Sequence, residues 1–257
     1  MKHLGLFEGI GGFSLAARWM GWETVAWCEW NEFGQKVLKH HFPEAEGHGD
    51  ITKTDFTKYA NKIDILTGGF PCQPYSAAGL RKGTEDERHL WPEMLRAIRE
   101  IQPSYVVGEN VRGITNWNGG VVFDEIQSEL ESQSYEVLPF LLPACATNAP
   151  HQRERIWFIA YSNERRLQKG NSGLSKVNRV FEKAPNEFTR IITSQWSRGK
   201  RNSGSVCRYD GIPHRLDAIT FSKWRAESIK AYGNAIVPQV AYEIYKAIQQ
   251  YEDLNTI

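Results

Sequence analysis

The sequence predicts an α/β fold with a doubly wound sheet flanked by helices. Short apolar segments of strand length alternate along the chain with longer segments whose apolar residues recur at helical spacing. Glycine, proline, asparagine or aspartate separates these segments, as expected for turns. Polar or reactive residues follow several of the short segments, where α/β folds place their ligand-binding loops. The 257 residues suffice for one large domain, or for a domain with an insert.

The first half of the chain contains the strand–turn–helix units that this fold requires. Apolar segments predict strands at residues 4–7, 24–28 and 64–67, with one further strand ending near residue 50. A glycine-rich turn leads from the first strand into a helix that starts at Phe13. Asn31 can cap a second helix, which Phe42-Pro43 ends.

The second half continues the alternation. Residues 90–101 have apolar side chains at helical spacing, and Pro103 ends this helix. The remaining segments predict a helix at 121–130, strands at 105–108, 135–142 and 156–160, and a last helix that begins near Pro238.

The composition excludes several classes of protein. The chain is 41% hydrophobic and 24% charged, which is typical of a globular protein in water. Its longest apolar segments are too short to span a bilayer, and Met1-Lys2-His3 leads directly into a strand, which argues against a signal peptide. The four cysteines form no Cys-x-x-Cys pair, so we expect neither a zinc site nor a redox motif. We therefore expect a cytoplasmic protein with reduced thiols and no bound metal.

The net charge of +1 conceals a basic segment. Residues 163–215 contain 12 Lys and Arg against 4 Asp and Glu, and isolated aromatic side chains lie among them. This combination is typical of a nucleic-acid-binding surface, although a solvated loop region could carry the same charge. The sequence thus predicts a body with a small, mostly irregular insert that binds a polyanion.

The motif GGFPCQPYS at residues 68–76 is the strongest chemical signal in the chain. Cys72 lies between Pro71 and Pro74, which disfavour a regular helix or strand. A cysteine on a stiff loop after a strand is a candidate nucleophile, whereas the alternative is a small buried thiol. The basic, glycine-containing segment at residues 79–88 could close on a phosphate backbone, or it could be an ordinary exposed loop.

Three successive strand ends favour a site for an adenosine-containing cofactor. The glycine turn would let a ligand approach the backbone and the amides of a helix N-terminus. Glu29 follows the second strand and could bind the hydroxyls of a ribose. Asp50 could accept a hydrogen bond from the adenine amino group while Ile51 packs on the ring. Alternatively, Asp50 caps the turn at Thr52.

Charged residues also border the later strands. Glu109 lies one predicted strand from Cys72 and is a candidate acid, with a helix cap or an ion pair as the alternative. Arg153 and Arg155 alternate before an apolar strand, so we expect them to share one face. Two guanidinium groups on one face suit a carboxylate, a phosphate or a base carbonyl, and an inter-strand ion pair is the alternative for Arg153.

Together, these motifs resemble those of the DNA (cytosine-5) methyltransferase family. The resemblance rests on LFEGIGG, GGFPCQPYS, GENV, HQRERIW and KAYGNAIVPQVA, which occur in the order that the family has. It covers roughly residues 4–162 and 230–250. The sequence departs from the family at Gly5, where an acidic residue is usual, and at Glu8, where alanine is usual.

The resemblance implies a Rossmann-like, S-adenosylmethionine-dependent methyltransferase domain. Cys72 would be the nucleophile that attacks carbon 6 of cytosine, with Glu109, Arg153 and Arg155 around the base. The residues expected at the S-adenosylmethionine are Phe7, Gly9, Gly11, Gly12, Glu29, Trp30, Asp50, Ile51, Pro71, Leu90 and Asn234. Those expected at DNA are Gln73, Ser76, Arg81, Lys82, Arg88, Lys200 and Arg201.

The same resemblance implies the organisation of the chain and its role. Residues 1–162 would form the catalytic and cofactor-binding domain, 163–220 the basic target-recognition region, and 221–257 a segment that returns to the first domain. We expect a monomer that methylates a flipped-out cytosine in double-stranded DNA, for restriction–modification or phage self-protection inside a bacterial cell. The alternatives are an RNA (tRNA) cytosine-5 methyltransferase and a catalytically silent DNA-binding relative.

Overall fold

The molecule is built on one twisted sheet. The structure, a computed structural model, describes residues 1–71, 90–149, 151–163 and 222–255. The strands within these ranges are Lys2–Leu6 (β1), Glu23–Cys28 (β2), Glu46–His48 (β3), Ile65–Gly68 (β4), Tyr105–Val111 (β5), Tyr135–Pro143 (β6) and Glu154–Ser162 (β7). They form a seven-stranded sheet in the order β3-β2-β1-β4-β5-β7-β6. Strands β1 to β5 are parallel to one another, whereas β7 is antiparallel to both β5 and β6.

Helices cover both faces of this sheet. In the described ranges they are Gly12–Trp19 (α1), Glu32–His41 (α2), Trp91–Ile101 (α3), Val121–Ser132 (α4), Ser222–Asn234 (α5) and Pro238–Asn255 (α6). One core contains buried side chains of α3 and α4, and a second contains those of α1 and α6. This is the doubly wound α/β architecture that the sequence predicts. Of these six helices, none is long and apolar enough to cross a membrane.

The side chains of β1 alternate between the two cores. Leu4 and Leu6 pack in the core that α3 and α4 cover, so His3 and Gly5 face α1 and α6. His3 is fully buried, and its Nε2 lies 2.8 Å from the Thr67 hydroxyl on β4. Burial lowers the pKa of His3 to about 3, so the imidazole is neutral in the folded protein.

The chain reverses its winding direction between β1 and β4. These two strands are hydrogen-bonded neighbours, with Leu6 opposite Gly68 at their carboxyl ends. From β1 the sheet continues to β2 and β3 on one side, and from β4 it continues to β5 on the other. Doubly wound folds bind ligands in the crevice at such a point. The glycine turn and the segment that leads to Cys72 therefore start side by side.

Three elements differ from the sequence-based predictions. Strand β5 continues to Val111, because β7 pairs with it over residues 105–111 whereas β4 pairs only over 105–108. Glu109 is thus inside the strand instead of beyond its end. Strand β3 ends at His48, and Ile51–Lys53 forms a single 3-10 turn. Helix α5 was not expected from the sequence.

Candidate active site

The glycine turn after β1 is open at one residue and closely packed at another. Gly9 and Gly11 have φ values of +59° and +90°, which residues other than glycine rarely adopt. A Cβ atom on Gly9 would meet no atom within 4 Å, so this side of its backbone is open, whereas its carbonyl oxygen packs against Gly34. A Cβ on Gly12 would lie 2.6 Å from Cγ1 of Ile236, which precedes α6. Gly9 therefore faces outward, whereas Gly12 packs against Ile236 of the C-terminal segment.

Glu29 joins the end of β2 to this turn. Its Oε2 accepts a hydrogen bond from the Gly9 amide at 2.6 Å, and its Oε1 accepts one from the Asn31 amide at 2.7 Å. Burial raises the pKa of this half-buried carboxyl. The neighbouring Trp30 is 81% exposed, which is unusual for so large an aromatic side chain. The Glu29 carboxyl group thus contacts Gly9, and an exposed indole follows Glu29 in the sequence.

Asp50 lies after β3 and is occupied within its own turn. Its Oδ1 accepts hydrogen bonds from the amide of Thr52 at 3.0 Å and from the hydroxyl of Thr52 at 2.8 Å. These contacts lower the pKa of Asp50. The structure thus contains the turn cap that was the alternative for this residue, and Ile51 is buried in the core. Contact of either residue with adenine stays a prediction.

The nucleophile and the DNA contacts expected from the sequence lie outside the described residues. These are Cys72, Gln73, Ser76, Arg81, Lys82, Arg88, Lys200 and Arg201. The segment before Cys72 is described through Pro71, and its backbone is tied to β5. Asn110 donates from Nδ2 to the carbonyl oxygen of Phe70 at 3.0 Å. A Cβ atom on Gly69 would lie 3.5 Å from Oε2 of Glu109, so this backbone passes close to the candidate acid.

Glu109 on β5 forms an ion pair with Arg155 on the adjacent strand β7. The Nε of Arg155 lies 3.0 Å from Oε1 of Glu109, and the two side chains are 23% and 11% exposed. Burial raises the pKa of Glu109, although the positive charges of Arg155 and Arg153 oppose the shift. The predicted ion-pair alternative is therefore present, and the same environment favours a carboxyl that can hold a proton. An ion pair with Arg155 and a role as an acid are therefore compatible for Glu109.

The inter-strand ion pair that was the alternative for Arg153 is not found among the described residues. Arg153 binds instead the end of α5 and the residue that follows it. Its Nη1 donates to the carbonyl oxygen of Gly233 at 3.0 Å, and its Nη2 donates to that of Ala235 at 2.7 Å. These carbonyls flank Asn234, which the sequence places at the cofactor. With Arg155, Arg153 lines a small cleft next to Glu109. Its geometry is that of a brace that holds the C-terminal segment against the strand β7.

The doubly wound fold, with its glycine turn and its acid–arginine pair beside the switch point, defines an α/β domain of the Rossmann-like methyltransferase class. The chain belongs to the C-5 cytosine-specific DNA methylase family, whose family model matches residues 1–203. This match confirms the resemblance that the sequence motifs indicate.

Individual relatives agree with this assignment. The chain is 37% identical over 164 residues to the type II methyltransferase M.Eco47II of Escherichia coli, an alignment that covers 63% of this chain and 39% of the relative. It is 34% identical over 169 residues to M.HhaI of Haemophilus parahaemolyticus, covering 65% of this chain and 51% of that protein. The chain thus spans about half the length of these relatives, or less.

One solved structure resembles nearly the whole chain. The Dnmt2 methyltransferase of Schizosaccharomyces pombe superimposes with a TM-score of 0.63 over 99% of both chains, at 17% sequence identity. At this identity the likeness shows the fold alone.

Sequence reasoning assigned no role to three residues that shape this site. They are Glu8, Asn110 and Ile236. Asn110 and Ile236 act through contacts with residues far away in sequence, which a sequence pattern does not reveal. Glu8 had one signal, because it departs from the family pattern together with Gly5.

Proposed function

We propose that this chain transfers a methyl group from S-adenosylmethionine to carbon 5 of a flipped-out cytosine in double-stranded DNA. The observation that carries the proposal is the buried Glu109–Arg155 pair beside the backbone that leads to Cys72. Membership of the C-5 cytosine-specific DNA methylase family and similarity to type II methyltransferases support DNA as the substrate.

The chemistry requires that the cytosine ring be activated, because carbon 5 is a weak nucleophile. The thiolate of Cys72 adds to carbon 6 and converts the ring into an enamine that is nucleophilic at carbon 5. Glu109 donates its proton to ring nitrogen 3 during this addition, and its raised pKa favours the form that can do so. Arg155 binds the base carbonyl and orients Glu109. General acid help of this kind is worth roughly 10²–10⁴ in rate.

The remaining steps return the ring to aromaticity. Once carbon 5 carries the methyl group, a base, for which water is the candidate, removes the hydrogen from the same carbon. The electron pair of that bond restores the double bond between carbons 5 and 6 as the Cys72 thiolate leaves. Ring nitrogen 3 gives its proton back to Glu109, so the enzyme ends in its starting state.

The described turn fits the expected cofactor. S-adenosylmethionine, when bound, supplies the methyl group. The open backbone at Gly9 suits close approach of such a ligand, and Glu29 has the chemistry to bind ribose hydroxyls. The exposed Trp30 provides an aromatic surface for the adenine. The other residues assigned to this site are Phe7, Gly11, Gly12, Asp50, Ile51, Pro71, Leu90 and Asn234.

DNA places further demands on the chain. A base inside a duplex cannot reach Cys72, so the enzyme must flip it out at a cost of a few kcal/mol. The segment at 79–88 is proposed to close behind the flipped base, and the basic segment at 163–220 to read the target. A monomer working in the cytoplasm of a bacterial or phage-infected cell, for restriction–modification or phage self-protection, is the expected setting.

Bisulfite sequencing tests the proposal directly. Plasmid DNA from cells that express the chain should contain protected cytosines in one sequence context, whereas DNA from cells that express Cys72→Ala should not. Cys145→Ala is the matched control, because Cys145 is an exposed cysteine outside the proposed site, and it should leave the protection pattern unchanged. Protection that persists in Cys72→Ala would contradict the assignment of the nucleophile.

A negative result would favour the other candidates. If the soluble chain binds S-adenosylmethionine but protects no cytosine, DNA methylation is wrong for this chain. Competition between DNA and RNA for methyl transfer from labelled S-adenosylmethionine then separates an RNA methyltransferase from a silent DNA binder.

A further inference from the structure

We propose that Glu8 is a positioning residue for the cofactor turn: its carboxyl group occupies the side-chain space of Gly5 and from there fixes the turn at residues 7–12 for S-adenosylmethionine. The role deepens the proposed function and rests on it. The inference comes from three observations on the described residues, namely the space beside Gly5, the hydrogen bonds of Glu8 and the environment of its second oxygen.

The first observation is that Gly5 and Glu8 exclude each other's side chains. Gly5 is buried in β1 and faces α1 and α6. A Cβ atom built on it would lie 2.3 Å from Oε1 of Glu8 and 2.6 Å from both Cδ and Cγ. Non-bonded heavy atoms do not approach this closely. The Glu8 side chain therefore folds back from the turn into the space that any larger residue at position 5 would fill.

The second observation is that this buried carboxyl group caps α1. The N-cap residue Gly11 has no side chain to accept a hydrogen bond. Instead, Oε1 of Glu8 accepts from the Ser14 amide at 3.0 Å and from the Ser14 hydroxyl. The Glu8 backbone also accepts from the Gly11 amide at 2.9 Å. One residue thus joins both ends of the turn, so the conformation of the glycines between them depends on it.

The third observation concerns the other carboxyl oxygen. Oε2 of Glu8 is buried, and no hydrogen-bond partner for it is found among the described residues. Burial raises the pKa of Glu8 to about 8, and the nearby charge of Glu29 acts in the same direction. A protonated carboxyl can remain in this apolar setting near neutral pH and still accept from Ser14. The group is therefore suited to holding a backbone turn in place.

The geometry implies that the acidic group could be supplied from either position. An aspartate at position 5 would place its Cβ 2.3 Å from Oε1 of Glu8 and 2.6 Å from its Cδ and Cγ, so the two side chains cannot both occupy this space. If alanine replaced Glu8 at the same time, the aspartate carboxyl would enter the vacated space. The two departures from the family pattern are then one change, in which the acidic side chain moves from position 5 in the strand β1 to position 8 in the turn.

The experiment measures S-adenosylmethionine affinity by calorimetry, and the thermal unfolding midpoint, in a set of full-chain variants. Glu8→Ala should weaken binding about tenfold, as loss of a helix cap beside a ligand would. Glu8→Gln keeps the shape and the acceptor, so its affinity should stay within about threefold of the original. Glu23→Ala removes an exposed glutamate from β2 and is the matched control, with unchanged affinity expected.

Position 5 provides the decisive comparison. Gly5→Ala should weaken binding in the original chain, because its methyl group displaces the Glu8 carboxyl. The same substitution should be harmless in the Glu8→Ala background, where the space is empty. Gly5→Asp/Glu8→Ala should recover most of the affinity that Glu8→Ala loses. This recovery would not follow from a general loss of stability.

Each outcome bears on the inference. Equal affinity of Glu8→Ala and the original chain would overturn it, even if the unfolding midpoint fell, because Glu8 would then be only structural. Additive effects of Gly5→Ala and Glu8→Ala would overturn it as well, since the two side chains would not share one space. Absence of S-adenosylmethionine binding by the original chain would instead overturn the proposed function, and this role with it.

Discussion

The proposed active site has two sides. The cofactor side consists of the turns that contain Glu8, Glu29 and Asp50, and the catalytic side contains Glu109, Arg153 and Arg155. The two sides are held together in different ways. On the cofactor side, each acidic side chain accepts from an amide of its own turn: Glu29 from Asn31, Asp50 from Thr52 and Glu8 from Ser14. One further bond, from the Gly9 amide to Glu29, joins two of these turns. On the catalytic side, the contacts join segments that are distant in sequence. Asn110 binds Phe70, Arg155 binds Glu109, and Arg153 binds Gly233 and Ala235.

The difference has a consequence for function. Local hydrogen bonds can form as soon as a turn forms, so short stretches of sequence preorganise most of the cofactor side, whereas the Gly9–Glu29 bond requires two turns to meet. The catalytic side exists only when β5, β7 and the segment before α6 have assembled. We therefore expect substitutions on the cofactor side to change ligand affinity or local stability. Substitutions on the catalytic side should change the rate of methyl transfer or the docking of the C-terminal segment.

Glu109→Gln should have the largest effect. A small effect on the rate of methyl transfer would contradict the division into a cofactor side and a catalytic side. The amide keeps the size of the side chain but has no acidic proton to donate, so the rate of methyl transfer should fall roughly 10²–10⁴-fold. S-adenosylmethionine affinity should not change, because Glu109 lies on the catalytic side. Single-turnover methyl transfer to DNA measures the first quantity and calorimetry the second.

The pH dependence of this step follows from the raised pKa of Glu109. The protonated form persists to higher pH than in an ordinary glutamate, and the rate should fall once the pH passes this pKa. Glu109→Gln should lose that descending limb. A descending limb that remains in Glu109→Gln would show that another group donates the proton.

Glu8 should have the next largest effect, on stability and not on rate. Its pKa in the folded protein is about 8, against an ordinary value of 4.5, so the folded state holds a proton that the unfolded chain releases. The stabilisation is complete below about pH 4.5 and is lost as the pH rises towards about 8. The loss is at most roughly 1.4 kcal/mol per pH unit.

Urea unfolding of the original chain and of Glu8→Gln measures this difference. The buried His3, whose folded pKa is lowered from 6.5 to about 3, adds the same slope to both chains, so its contribution cancels in their difference between about pH 6.5 and 8. In that interval the original chain should lose stability relative to Glu8→Gln. Parallel stability curves would show that Glu8 is ionised when folded.

The same contrast explains how much of the fold could be predicted from the sequence. Strand and helix positions follow from apolar periodicity, and the structure confirms them in β1, β2, β4, α3 and α4 to within a few residues. The cap at Asn31 was predictable as well, because its partners Phe33 and Gly34 follow directly. Local rules thus describe the cofactor side well.

The rest depended on pairing that no local pattern encodes. The extension of β5 through Glu109 requires the antiparallel neighbour β7, which starts 45 residues further along the chain at Glu154. The bonds of Arg153 require two carbonyls about 80 residues away. The placing of Glu8 beside Gly5 depends on the fold of the turn, although the paired departure from the family pattern was a signal of it. Tertiary contacts decided these cases.

Arg153→Lys should have an intermediate effect. It tests whether Arg153 holds the C-terminal segment in place or takes part in catalysis. Lysine keeps the charge but cannot donate in a fixed fork to both Gly233 and Ala235. We expect the free energy of unfolding to fall by about 2 kcal/mol. Affinity for S-adenosylmethionine should fall with it, because Asn234 lies between these carbonyls. Chemical denaturation and calorimetry give the two quantities.

Arg112→Lys is the matched control for this substitution. Arg112 pairs with Glu154, but its side chain is 62% exposed, so the change should cost less than about 1 kcal/mol. If Arg153→Lys reduced only the rate constant of methyl transfer and left stability unchanged, Arg153 would be a catalytic residue in contact with the base instead of a brace.

Asn31→Ala should have the smallest effect and tests the local character of the cofactor side. The side chain accepts from the amides of Phe33 at 2.9 Å and Gly34 at 3.1 Å, and its loss should cost about 1 kcal/mol of unfolding free energy. Asn31→Asp retains the cap and should keep full stability. Since the cap acts within α2, the rate of methyl transfer at saturating S-adenosylmethionine should be equal in all three chains. A rate that fell with the cap would mean that the cofactor side and the catalytic side are coupled, and that the two are not separable in the way their hydrogen bonds indicate.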